Sequence, residues 1–121
     1  MRFRRLPHAI QHTKQFDFHG SDPIAQSNKH FGYPGGSPAI SANGNSNGIL
    51  WILETDKFGT NGNVILRAFD ASNISRELYD TTQNATRDAA GPAVKFTVPT
   101  VANGKVYVGT QTEVDIYGLL P

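Results

Sequence analysis

The stretch that most constrains this chain is residues 96–119, FTVPTVANGKVYVGTQTEVDIYGL, in which two alternating apolar runs are separated by Asn103-Gly104 alone. A type I′ turn needs positive φ at both central residues, and Asn-Gly is the pair that tolerates this best. The register this predicts sets Val101 opposite Val106, Thr100 opposite Tyr107 and Pro99 opposite Val108. Val101, Val106 and Val108 then share one face, and Val98 and Tyr107 share the other. Apolar groups on both faces predict a hairpin covered on both sides. Pro99 falls in a non-hydrogen-bonded pair, so its missing N–H points away from the hairpin and predicts an edge strand.

Composition limits what such a chain does. A length of 121 residues allows one ordinary domain, and 12 Gly with 7 Pro supply many turns. No apolar run approaches the roughly 20 residues of a membrane-spanning helix. Met1–Arg5 begins like a secretion signal, but residues 6–12 offer no apolar core, so none is expected. With no cysteine, disulfides, thiolate metal sites and cysteine nucleophiles are excluded. A net charge of +1 gives no overall pull towards nucleic acid, and the excess of basic groups in residues 1–30 reads as a solvated end.

Taken in order, residues 1–30 form a poorly ordered or incidental lead. Within it, 14–19 alternates with Phe16 and Phe18 on one side, and His8 and His12 have an i, i+4 spacing without an acidic ligand between them. From Phe31 the pattern becomes one of short strands: 37–41, 49–55, 64–70 and an outer 75–80. The loop 42–48 lies between the first two, and the turn 56–63, with Asn61-Gly62, between the next two. This predicts an all-β, antiparallel meander with almost no helix. Ile40, Leu50, Ile52, Leu66, Val101, Val106 and Val108 are the expected core.

The meander then repeats. Pro38 to Gly44 (PAISANG) matches Pro99 to Gly104 (PTVANG), Leu50-Trp51-Ile52 matches Val106-Tyr107-Val108, and Arg67-Ala68-Phe69 matches Asp115-Ile116-Tyr117. A period of about 50 to 60 residues, built from short strands, suits propeller blades better than leucine-rich or ankyrin repeats. The first blade spans 37–80. The second, 96–121, stops after its third strand, 113–119, and lacks the outer fourth.

The signature Pro38, Trp51, Ala68, Asp70, Pro99, Asn103, Gly104, Tyr107 and Gly109 resembles the repeats of quinoprotein-like (pyrroloquinoline-quinone-type) β-propellers. Ala68, Asp70 and Asn73 stand at the Ala, Asp and Thr positions of that family's blade-docking motif, while Ile74 replaces its usual Gly and Leu78 its Trp. The resemblance implies a partial propeller of about two blades from the C-terminal end of a larger secreted or periplasmic bacterial protein. Its partners would be the remaining blades of a longer chain, or another copy through open strand edges. The resemblance also implies two functions. One is a non-catalytic scaffold or interaction surface without cofactor; the other is a fragment of a quinone-dependent dehydrogenase or sugar oxidase, with a channel aspartate and calcium.

Residues that carry chemistry are few. Arg87, Asp88 and Lys95 lie on the polar connection into the second blade and form a candidate binding rim; the competing reading is an internal Arg87–Asp88 contact that pins the connection. Asp56, Asn61 and Asn63 offer oxygens to calcium, though their spacing matches no EF-hand and suits turn formation. Asn73-Ile-Ser and Asn84-Ala-Thr fit the glycosylation pattern. No serine elbow or phosphate loop is present.

Overall fold

The computed structural model describes residues 23–119, so the expected strand at 14–19 and the His8–His12 spacing lie outside the described residues. Within them the chain is all-β, with seven strands and one helical turn. Strands β1 (Ala39–Asn43), β2 (Ser46–Glu54), β3 (Ile65–Asp70) and β4 (Asn73–Asp80) make a four-stranded antiparallel meander in sequence order. After the single turn α1 (Ala85–Asp88), β5 (Thr100–Ala102), β6 (Lys105–Gly109) and β7 (Val114–Tyr117) make a second, three-stranded meander.

The Asn103-Gly104 turn forms as the residues dictate. Both take positive φ, 51° and 70°, and Val101 pairs with Val106 and Thr100 with Tyr107. β5 is an edge strand, as Pro99 demands, although Pro99 itself stands just before the ladder and is fully buried.

Two loops depart from expectation. The segment 42–48 is not a loop: β1 and β2 run on and reverse at Gly44-Asn45. Asn47 takes a φ of 54° inside β2, which an asparagine tolerates, and there β2 carries one residue more than β1 between the Ser41–Ile49 and Asn43–Ser46 pairs. Nor is Asn61-Gly62 a two-residue turn. The reversal spreads over residues 55–61, with the Phe58 N–H on the Thr55 carbonyl and the Thr60 N–H on the Lys57 carbonyl. Residues 62–64 are engaged elsewhere: the Gly62 carbonyl accepts from the Ala93 N–H, the Val64 N–H donates to the Gly91 carbonyl, and Asn63 bridges to Pro92. Backbone groups that a tight hairpin would pair locally instead tie the first sheet to the approach of the second.

One core joins the two sheets. Leu53, Val64 and Leu66 from the first meet Val106 and Val108 from the second, with Ala90 and Ala93 from the connection filling between them and Trp51, Val101 and Tyr117 at the margin. Of the expected core, Leu66, Val106 and Val108 are buried, whereas Ile40, Leu50, Ile52 and Val101 are half-buried. The pleat explains the split for the first sheet. Leu53, Leu66, Trp51 and Ala68 point to the second sheet, while Ile40, Leu50 and Ile52 point the opposite way. On that far face the lead-in brings Gly36 against the Ile52 side chain.

Candidate functional site

Arg87 and Asp88, two of the three expected rim residues, sit together on α1. Asn84 caps this turn by accepting from the Arg87 N–H, which occupies the side chain of one glycosylation motif. The other, Asn73, accepts from the Ser75 hydroxyl and N–H. The Arg87 guanidinium grips the Asp88 carboxylate with Nε at 2.5 Å and Nη2 at 2.7 Å. Asp88 is buried, and two further bonds converge on it. The Tyr79 hydroxyl of β4 donates to its carboxylate at 2.8 Å, and the Tyr117 hydroxyl of β7 donates to its backbone carbonyl at 2.9 Å. Arg87, then Tyr79, hold the Asp88 carboxyl below the ordinary range. Burial, then the bond to Asp88, pushes the Tyr79 phenol well up. Burial, with the nearby negative charges of Asp115 and Asp88, pushes Tyr117 up to about 12. Through these bonds the cluster joins α1 to β4 of the first sheet and to β7 of the second.

Lys95 lies elsewhere, with its ammonium 5.0 Å from the Phe58 ring centre and 5.9 Å from that of Phe96. Tyr33 meets Phe58 edge-on at 6.0 Å. Phe96 takes a φ of 63°, unusual for so bulky a residue, and is largely exposed, as is Tyr33. Sequence reading could not assemble this group, because Tyr33, Phe58 and Lys95 belong to three separate connections.

The far face of the first sheet holds a buried ion network. Arg67 on β3 reaches Glu54 on β2 at 2.7 Å, Glu77 on β4 at 2.7 Å and Asp80 at 3.4 Å. Burial works to raise the Asp80 pKa, but the Thr82 hydroxyl and N–H, with Arg67, bring it below the usual value. Among the described residues no group of three or more acids or histidines is arranged to hold a metal ion. Asp56 and Asn61 lie in the reversal after β2, and Asn63 bridges to Pro92. Asp70 of the repeat signature closes the β3–β4 turn by accepting from the Ser72 N–H and hydroxyl. It borders an open cleft of about 510 Å³ with Asn45, Asn47, Ser72 and Arg76.

The least satisfied surface is the outer side of the second sheet. The expectation that the hairpin is covered on both faces holds for one of them. Val106 and Val108 are buried against the first sheet, but Val98, Val114 and Ile116 are exposed and Tyr107 is half-exposed. Pairing of Tyr107 with Ile116 and of Gly109 with Val114 places these residues on one bare face. The repeat makes this informative. Trp51 is the counterpart of Tyr107 and Ala68 of Ile116, and in the first sheet that same face is the one packed on the second. No helix among the described residues is long and apolar enough to cross a membrane. Compared with known protein families, with curated proteins and with solved structures, the chain matches none.

Proposed function

We propose that this chain is a non-catalytic scaffold: two consecutive blades of a quinoprotein-like β-propeller in a larger extracytoplasmic protein, presenting the outer face of its second sheet to a further sheet. The supporting observation is the equivalence of faces across the repeat. The side of the first sheet that carries Trp51 and Ala68 is packed, and the matching side of the second, with Tyr107 and Ile116, is bare and apolar. Exposed apolar patches of this kind mark docking surfaces. The contact between β1 and β5, the first strands of the two meanders, also supports this reading.

Hydroxyl-radical footprinting tests this reading. Tyr107 and Val98 are labelled readily in the isolated chain and become protected in the protein as it occurs in its source cells. Equal labelling in both would remove the stacking role.

A further inference from the structure

We propose that Asn103 is the first site of spontaneous deamidation in the folded chain, and that the isoaspartate formed there undoes the 103–104 hairpin. This is a covalent modification of a turn, and it goes beyond the scaffold reading.

The chemistry is intramolecular and belongs to the Asn-Gly dipeptide. The Gly104 nitrogen attacks Cγ of Asn103, the Cγ–Nδ2 bond breaks, and Nδ2 leaves as ammonia with the proton of the Gly104 N–H. Water then opens the succinimide ring. Its attack at Cγ gives aspartate. Its attack at the backbone carbonyl gives isoaspartate, in which the main chain runs through the side-chain carboxyl and is one methylene longer. Glycine in the second position puts no Cβ in the way of the attack. A folded chain allows the reaction where the attacking N–H is exposed and unpaired, and where the backbone is free to turn it towards Cγ.

The sequence offers four such steps, at residues 43, 47, 61 and 103, and the fold holds three of them. Gly62 is enclosed by Lys57, whose side chain would meet an added Cβ at 2.7 Å. Its carbonyl accepts from the Ala93 N–H, and its N–H donates to the Thr60 hydroxyl at 3.4 Å. Gly48 lies within β2, where its carbonyl accepts from the Ala71 N–H and the Ala71 side chain packs against it. Asn43 is held in the ladder opposite Ser46. Turning any of these three towards the ring geometry breaks hydrogen bonds or packing between strands.

Asn103 is held by none of this. The last ladder pair of its hairpin is Ala102–Lys105, so Asn103 and Gly104 form the turn outside it. Both are exposed, and apart from chain neighbours no atom lies within 4 Å of a Cβ placed on Gly104. In a two-residue turn the N–H of the second central residue has no ladder partner. Only this turn has to open for the nitrogen to reach Cγ.

The consequence follows from the register. The turn sets Val101 opposite Val106, and Val106 with Val108 is the second sheet's share of the common core. Aspartate at 103 suits the same turn, since Asp-Gly is also a type I′ pair. Isoaspartate adds a backbone methylene to a turn built for two residues, so the pairs beside it separate.

Trypsin sorts the four steps: peptide 96–105 carries Asn103, 58–67 carries Asn61, and 30–57 carries Asn43 and Asn47. The full chain is aged at mildly alkaline pH, once folded and once in concentrated urea, and the amide-to-acid mass gain of each peptide is followed. In urea all four steps should convert at comparable rates. In the folded chain 96–105 should convert at least about tenfold faster than the other two, whose steps react only through local opening. The isolated isoaspartate form should then unfold at lower urea than the unmodified chain, and Asn103→Asp at an unchanged midpoint. Conversion of 58–67 or 30–57 before 96–105, or folded rates in the same proportions as in urea, would overturn the choice of site. An isoaspartate form as stable as the unmodified chain, or an equal loss in Asn103→Asp, would overturn the effect on the hairpin.

Discussion

The first sheet is four strands wide, packed on one face and partly covered on the other; the second is three strands wide and packed on one face only. Their matching positions show what that costs. Ala68 is 1% exposed and its counterpart Ile116 is 58% exposed, although both stand on the third strand of their meander with the same orientation. The larger apolar residue is on the bare surface. A repeat unit of this kind completes its burial through its neighbours. Among the described residues the first sheet meets the second on one face and the lead-in on the other, while the second sheet meets the first alone.

Substitutions at the shared core should break the comparison most strongly, because both sheets depend on it. Val106→Asp buries a charge between them and is expected to cost about 4 kcal/mol or more, with both sheets lost in a single urea transition. Two separate transitions would show that the sheets are independent. Next is Arg67→Met, which leaves Glu54, Glu77 and Asp80 without their cation. It should cost about 3 kcal/mol in denaturant unfolding, through the first sheet alone.

A matched pair sharpens the contrast of faces. Ala68→Leu overpacks the interface between the sheets and should cost about 1–3 kcal/mol. Ile116→Leu on the bare face should change stability by less than about 0.5 kcal/mol. Similar values at the two positions would mean that Ile116 is covered in the isolated chain.

The clasp gives a smaller effect than the shared core or the ion network. Tyr117→Phe removes the bond to the Asp88 carbonyl and should cost about 1 kcal/mol at neutral pH. The pH profile carries the signs. Asp88 and Asp80 have carboxyls lowered in the folded state, so their contribution is present above about pH 4 and lost as the pH falls below it. Tyr117 is raised, so its contribution is present below about pH 10 and lost as the pH rises through about 12. Thermal melts should therefore show a plateau between the two limbs. Asp88→Asn should flatten the acid limb, and Tyr117→Phe the alkaline one.

Local chemistry made much of this molecule legible from its residues. Asn103-Gly104 has one comfortable turn, so its register followed from backbone sterics, and short apolar or alternating runs placed a strand near each one of both meanders, though not the extension of β1 and β2 through residues 42–48. Asn61-Gly62 carries the same dipeptide with a different result, because residues 62–64 pair with 91–93, some thirty residues on. No local signal announces such a partner. The Arg87–Asp88 contact was readable from adjacency, but its joining to Tyr79 and Tyr117 was not, since those phenols arrive from β4 and β7.

Sequence alone determined the strand pattern, the repeat and the set of apolar residues available for burial. Only the tertiary structure decided which of the two apolar faces of each sheet is buried. Alternation places apolar groups on both faces of a strand without ranking them. The choice was made by the short connection through Ala90 and Ala93, which brings Val106 and Val108 onto Leu53 and Leu66 and leaves Tyr107, Val114 and Ile116 turned outward.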